Sequence, residues 1–172
     1  MARPTPSPVD KAFAYITAGD RLLVFEHVDH PDAGVQVPAG TVRPGESPAD
    51  AASREAREET GLARLGAPRL LGIAEFDARP FGKDELHRRH VFHLPLRGPA
   101  PERWRHVEHD ASEGDGEPIA FELYWLGLDE AAARLDYGHG ALLGALAERD
   151  RPDRRLFDVR RGDDTAGQGH QP

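Results

Sequence analysis

Four glutamates lie close together in the segment 40–62, which reads GTVRPGESPADAASREAREETGL. They are Glu46, Glu55, Glu58 and Glu59. Because Glu58 and Glu59 follow Glu55 by three and four residues, their carboxylates share one face if the segment is helical. Like charges on one face repel one another unless a cation lies among them. Hard divalent cations prefer oxygen ligands, so this spacing predicts a metal site.

The same segment carries the start and stop signals of a helix from Pro48 to Thr60. Ser47 is a favoured N-cap, and proline is tolerated at the first helical position. Gly61 suits the left-handed position that ends many helices. Small apolar residues on the face opposite the glutamates suit close packing against a sheet: Ala49, Ala52 and Ala56. The sequence therefore predicts a helix that presents its acidic face to a cleft.

This segment resembles the signature of the Nudix hydrolases. That signature is a Gly, five residues, Glu, seven residues, Arg-Glu, an aliphatic residue, any residue, Glu-Glu, any residue, Gly and a final aliphatic residue. The matching positions are Gly40, Glu46, Arg54, Glu55, Ala56, Glu58, Glu59, Gly61 and Leu62. Ala56 is smaller than the usual aliphatic residue, a departure that concerns local packing more than chemistry.

The resemblance implies the Nudix fold, an α/β (α+β) fold in which a mixed β-sheet is sandwiched between α-helices. It also implies a cofactor, Mg²⁺ or Mn²⁺, held by Glu55, Glu58 and Glu59. Gly40 would offer its backbone carbonyl to the same metal. These four residues are the metal-binding candidates of the chain, and the three glutamates are also catalytic candidates.

Further roles follow from the same resemblance. Glu46 and Arg54 would form an ion pair that braces the loop on the helix. The general base would be Glu55 or an acidic residue from a later segment. Glu122 is the first choice for that later acid, because it precedes Trp-Leu in a strand that leads into a helix, and Glu117 is the second choice.

The implied activity is hydrolysis of a diphosphate linkage by water attack at phosphorus. The substrate would be a nucleoside diphosphate linked to another moiety, such as a nucleotide sugar, ADP-ribose, a dinucleoside polyphosphate or a nucleoside triphosphate. Pro80 and Phe81 follow the signature too late to match the usual subfamily markers for ADP-ribose or dinucleoside polyphosphate enzymes. Arg88 and Arg89 are candidates for holding distal phosphates and Phe81 for stacking on a base, against the alternative of ordinary surface and packing roles.

Two other functions and one other metal site are alternatives to this interpretation. A catalytically inactive Nudix-fold module that binds nucleotides or regulates a partner would usually have a damaged signature, whereas the ionisable positions are intact here. An isomerase of the isopentenyl diphosphate type would use a cysteine, and the chain has none. A zinc site from His87, His90 and His93 is disfavoured, because alternation along a strand separates them onto two faces.

Composition limits the partners. The net charge of −8 argues against general nucleic-acid binding, so a small-molecule nucleotide is the expected partner, with a homodimer as an option. The absence of cysteine makes a cytoplasmic location the default expectation. The first ten residues lack the apolar core of a signal peptide and no run reaches membrane-spanning length, so we expect a soluble protein without a membrane partner.

We expect a flexible N-terminal arm at residues 1–10, a hydrolase domain at residues 11–157 and a disordered tail at residues 158–172. The segment 98–118 has no periodicity and is predicted to be a mobile loop or a lid over the substrate. The pattern predicts strands at 11–17, 21–27, 35–37, 69–76, 87–96 and 119–126, and, after the signature helix, helices that begin at residue 129 and at residue 140 or 141.

Overall fold

The computed structural model describes residues 7–109 and 116–149 of the chain. Its strands are β1 (Val9–Ala18), β2 (Arg21–His27), β3 (Ala39–Thr41), β4 (Arg69–Asp77), β5 (Leu86–Pro95), β6 (Arg103–Glu108) and β7 (Ile119–Gly127). Its helices are α1 (Pro48–Thr60), α2 (Leu128–Arg134) and α3 (Leu143–Arg149). None of the helices in these two ranges is long and apolar enough to cross a membrane.

The strands form one mixed sheet in the order β4-β5-β1-β2-β7-β6, with β3 paired to β1. β1 runs parallel to β5, and the other pairs are antiparallel. The ladder between β1 and β2 is confined to their hairpin, where Thr17 pairs with Leu22 and Ala18 with Arg21. Beyond the hairpin β1 pairs with β3 and β2 pairs with β7, so the sheet divides. Helix α1 contacts strands of both parts.

An apolar core covers each face of the sheet. On one face the small side chains of α1 pack against β1, β2, β5 and β7, and Ala56 is fully buried there. On the other face α2 and α3 contribute Ala131, Leu143 and Leu146 to a second core. The sheet therefore lies between α1 and the pair α2 and α3, which confirms the predicted mixed sheet between helices.

The predicted ends of α1 are confirmed. The Ser47 hydroxyl accepts a hydrogen bond from the backbone N–H of Asp50 at 3.1 Å. Gly61 adopts the left-handed conformation with φ of 73°, and its N–H donates to the Arg57 carbonyl at 2.9 Å. These two caps fix the length of α1 and therefore the height at which its glutamates lie.

Two predicted segments are wrong. The predicted strand at 35–37 consists of isolated bridges from Val35 and Gln36, and the strand that precedes α1 is β3 instead. Pro38 lies between these bridges and β3 and has no backbone N–H to donate to a continuous ladder. The predicted loop or lid at 98–118 contains β6. Because both faces of β6 carry polar residues, the sequence of this strand lacks the alternation of apolar and polar residues that predicts a strand.

The expected boundaries of the domain fall partly outside the described residues. Of the predicted arm at residues 1–10, residues 1–6 lie outside, and β1 already begins at Val9. The predicted tail at 158–172 lies outside entirely, as do residues 110–115 of the predicted lid. The limits 11–157 for the domain remain a prediction.

Candidate active site

Three carboxylates converge where α1 meets the end of β6. They belong to Glu55, Glu58 and Glu108, and one oxygen from each lies within 4.8 Å of the others. We call this group the acidic cluster. Glu55 and Glu108 are only 2% and 6% exposed, respectively. Because burying several like charges together is costly, the cluster is an all-oxygen donor set that suits a hard divalent cation.

Arg54 links the acidic cluster to the loop before α1. Its Nε and Nη2 donate to the two carboxylate oxygens of Glu46 at 2.8 and 3.0 Å. Its Nη1 donates to Glu55 at 2.5 Å and to Glu58 at 3.1 Å. The hydrogen bonds from Arg54 lower the pKa of Glu46 to about 2, so Glu46 is anionic at neutral pH. The guanidinium thus holds three carboxylates in a fixed arrangement.

Gly40 allows β3 to approach Glu55 closely. A Cβ atom on Gly40 would overlap the Glu55 carboxylate, so a residue with a side chain cannot occupy this position without moving Glu55. Glu59, which is 7% exposed, lies beside the same strand and accepts a long hydrogen bond of 3.4 Å from the Ala39 N–H. The predicted ligands Gly40 and Glu59 therefore lie at or beside β3. Glu55 contacts Gly40 and also belongs to the acidic cluster with Glu58.

Strand β6 is fastened to the C-terminal end of α1. The Trp104 indole N–H donates to the Thr60 carbonyl, and His106 Nε2 donates to the Glu58 carbonyl, both at 2.9 Å. These bonds satisfy carbonyls that a helix end leaves without intrahelical partners. Because alternate residues of a strand share a face, Glu108 follows Trp104 and His106 on the side that faces α1.

The structure does not bring Glu122 to the acidic cluster. Alternation along β7 directs Phe121 and Leu123 into the core under α1, so Glu122 lies on the other face of the sheet. There it accepts hydrogen bonds from Arg103 at 3.2 Å and from Arg105 at 2.8 Å. These bonds, that from Arg105 first, lower the pKa of Glu122. The second choice for the late acid, Glu117, is exposed.

The three histidines of β5 do not form a metal site. His87 contacts Glu85 at 2.8 Å, His90 contacts Asp10 at 2.8 Å, and His93 contacts Thr17 at 2.7 Å. Over residues 7–109 and 116–149, the acidic cluster is the group of potential ligands that lies close enough to hold a metal. The zinc alternative therefore has no geometric support.

A cavity of about 340 Å³ lies next to the acidic cluster. Gly40 lines this cavity and also lies against the Glu55 carboxylate of the cluster. Lys11, Lys83 and Arg89 line it, together with aromatic rings, and no Asp or Glu of the described residues does. We call it the basic cavity. It lies on the sheet face opposite α1, because Arg89 and Phe13 point away from the core that contains α1.

The two predicted arginines point in opposite directions from β5. Arg88 is exposed and pairs with Asp10 through two hydrogen bonds of 2.6 and 2.9 Å. Arg89 is buried in the basic cavity, where its guanidinium carbon lies 3.6 Å from the centre of the Phe76 ring. Phe81, also predicted to bind substrate, stacks on Phe76 with 57% of its surface exposed.

The model of the NUDIX domain matches residues 8–145, most of the chain. The chain belongs to the NUDIX hydrolase family.

The chain is also similar to one curated protein over part of its length. Diphosphoinositol polyphosphate phosphohydrolase 2 of Rattus norvegicus is 41% identical over 78 residues, which is 45% of this chain and 38% of that protein. The chain therefore spans less than half the length of this curated relative.

Solved structures of other proteins show the same fold at low sequence identity. A MutT NUDIX hydrolase from Burkholderia pseudomallei has a TM-score of 0.63 at 22% identity, covering 82% of this chain and 99% of that one. An Ap4A hydrolase from C. elegans has a TM-score of 0.59 at 21% identity, covering 82% and 96%. These likenesses concern the fold.

The NUDIX signature alone does not reveal Glu108 or the basic cavity. Glu108 has a sequence signal, since Trp104, His106 and Glu108 alternate with Arg103, Arg105 and Val107. The cavity has no such signal, because Lys11, Arg89 and His139 come from three distant segments.

Proposed function

We propose that the chain hydrolyses a diphosphate linkage in a nucleoside diphosphate joined to a second moiety, with Mg²⁺ or Mn²⁺ as cofactor. The observation that carries this proposal is the convergence of Glu55, Glu58 and Glu108 within 4.8 Å. Membership of the NUDIX family supports hydrolysis as the reaction class.

The donor set fits the proposed cofactor. Glu55, Glu58 and Glu108 offer carboxylate oxygens, and we include Glu59 and the carbonyl of Gly40 from β3 in the proposed ligand set. Oxygen ligands of this kind suit Mg²⁺ and Mn²⁺ better than they suit softer metals. When bound, the cation would neutralise charge on the diphosphate oxygens and acidify the attacking water.

The protein side chains have separate tasks in this proposal. Arg54 fixes the orientation of Glu55 and Glu58, and Glu46 fixes Arg54 in turn, as their hydrogen bonds support. Glu108 is the late acid and acts as general base, with its carboxylate accepting the proton of the water that attacks phosphorus. We assign this role to Glu108 and not to Glu122, because the Glu122 carboxylate pairs with Arg103 and Arg105.

The substrate class is wider than a single compound. The rat relative is named for diphosphoinositol polyphosphates and the C. elegans structure for Ap4A, so both compound types belong in the set to be tested. Nucleotide sugars, ADP-ribose, nucleoside triphosphates and coenzyme A complete it.

The test is a screen of these compounds with Mg²⁺, Mn²⁺ or EDTA, scored by release of phosphate or nucleoside monophosphate. We expect metal-dependent cleavage of at least one compound, lowered by roughly 10³-fold in Glu58→Gln. Glu130→Gln, a glutamate of α2 that pairs with Arg134, is the matched control and should keep wild-type turnover. Full activity of Glu58→Gln would reject the cluster as the catalytic centre, and no cleavage of any compound would favour a binding module.

A further inference from the structure

Arg89 is a buried cation that has no carboxylate partner within residues 7–109 and 116–149. It is 5% exposed, and its Nε is buried without a hydrogen-bond partner among the described residues. Its Nη1 donates to the Tyr137 carbonyl at 2.6 Å. Buried charges in proteins are normally paired, so a charge left in this state suits a ligand of opposite sign.

Aromatic rings fix the plane of this guanidinium. Its central carbon lies 3.6 Å from the centre of the Phe76 ring and 4.8 Å from that of Phe13. The ring faces attract a cation but do not replace a hydrogen-bonded anion along its edge. The stack therefore orients the donor edge of Arg89 without neutralising its charge.

The surroundings of Arg89 are basic. Lys11 and Lys83 line the same cavity, and none of its described lining residues is acidic, although the whole chain has a net charge of −8. Burial lowers the pKa of Arg89 to about 10, so Arg89 remains protonated at neutral pH. His87, also buried in this wall, has an Nδ1 without a hydrogen-bond partner among the described residues.

We propose that the basic cavity binds a second anionic group of the substrate, a phosphate or carboxylate on the moiety beyond the cleaved diphosphate, and that Arg89 selects it. Gly40 lines the cavity and lies against the Glu55 carboxylate, so the cavity and the acidic cluster are neighbours across β3. The proposal places the distal moiety of the substrate in this cavity, within reach of Arg89. This inference rests on the proposed function for the position of the diphosphate.

The test uses two pairs of compounds that differ in one anionic group. Coenzyme A carries a phosphate that dephospho-coenzyme A lacks, and UDP-glucuronate carries a carboxylate where UDP-glucose has a hydroxymethyl group. Calorimetric binding in EDTA measures the contribution of the cavity without hydrolysis. We expect at least one charged member to bind about tenfold more tightly than its partner, the gain typical of a charge-assisted hydrogen bond.

Variants locate that preference. Arg89→Met keeps a long side chain between the rings but removes the charge, and it should bind both members of the pair equally. Arg89→Lys should retain part of the preference. Arg69→Met, an exposed arginine of β4, is the matched control with the same change in net charge and should bind like the wild type.

Hydrolysis of the same compounds with Mg²⁺ separates the two proposals. Equal binding within both pairs, or a preference that survives in Arg89→Met, overturns the role of the cavity even if hydrolysis proceeds. A binding preference without hydrolysis of any compound overturns the proposed function alone. The comparison of the two members of each pair uses the wild-type protein alone. It therefore tests the role of the cavity even if Arg89→Met folds poorly.

Discussion

The acidic cluster and the basic cavity share Gly40 as a common wall but treat charge in different ways. In the acidic cluster Arg54 lies among the carboxylates and bonds to Glu55 and Glu58. In the basic cavity Arg89 has ring faces and a carbonyl for partners, with no carboxylate among the described residues. Arg54 thus has carboxylates of the protein as partners, whereas Arg89 has none among the described residues.

This difference separates two tasks. The guanidinium of Arg54 holds the carboxylates in position before a ligand binds, which is how a reaction centre is preorganised. Stacking on two rings is worth about 0.5–2 kcal/mol, less than the several kcal/mol that burial of an unpaired charge costs. We therefore propose that the reaction type depends on the side chains of α1, whereas the choice of substrate depends on the basic cavity.

The largest effect should come from the late acid of the cluster. We expect Glu108→Gln to lower turnover by about 10²–10⁴-fold, because its carboxylate is the proposed proton acceptor. Glu122→Gln is the matched control from the neighbouring strand and should turn over near the wild-type rate. Steady-state kinetics on the best substrate of the screen measure both.

The reverse result would reassign the base. A strong loss in Glu122→Gln with near-normal turnover in Glu108→Gln would mean that the ion pairs of Glu122 with Arg103 and Arg105 open during turnover. Circular dichroism of both variants would exclude loss of the fold as the cause.

The two regions also differ in how far they could be predicted from the sequence. The spacing of Glu55 and Glu58 and the caps of α1 are local features, fixed within one helix by a period of 3.6 residues. These features can be predicted from the sequence without any knowledge of the sheet. Arg89 could be named but not distinguished from Arg88, because only the pairing of β5 decides which of the two faces α2 and α3.

Strand β6 shows why the sequence does not predict Glu108 as a member of the acidic cluster. Its inward residues Trp104, His106 and Glu108 are aromatic or polar, and they bond to helix carbonyls instead of filling an apolar core. A search for apolar alternation does not find such a strand. The sequence favours Glu122 because it precedes Trp-Leu in a strand that leads into a helix, yet the apolar pattern of that strand directs Phe121 and Leu123 towards α1 and Glu122 away from it.

A smaller effect should follow from the wall between the regions. In Gly40→Ala the new Cβ would displace the Glu55 carboxylate, and misplacement on this scale costs about 10²-fold in rate. Gly127→Ala is the matched control, because a Cβ there meets no atom within 4 Å. Kinetics with Mg²⁺ would measure both, and normal turnover in Gly40→Ala would show that Glu55 tolerates movement.

The smallest effect concerns His139 in the wall of the basic cavity, whose Nδ1 accepts a hydrogen bond from the Val37 N–H at 3.1 Å. Burial, with Arg89 nearby, lowers the pKa of His139 from 6.5 to about 3. Because the unfolded chain then binds the proton more readily, stability is present above pH 6.5 and is lost as the pH falls below it. We expect this histidine to cost about 1 kcal/mol of unfolding free energy between pH 7.5 and pH 5.5. Urea unfolding should show a shallower pH dependence by this amount in His139→Asn, which keeps an acceptor for Val37. An unchanged slope would mean that solvent reaches His139 and that this wall of the cavity is open.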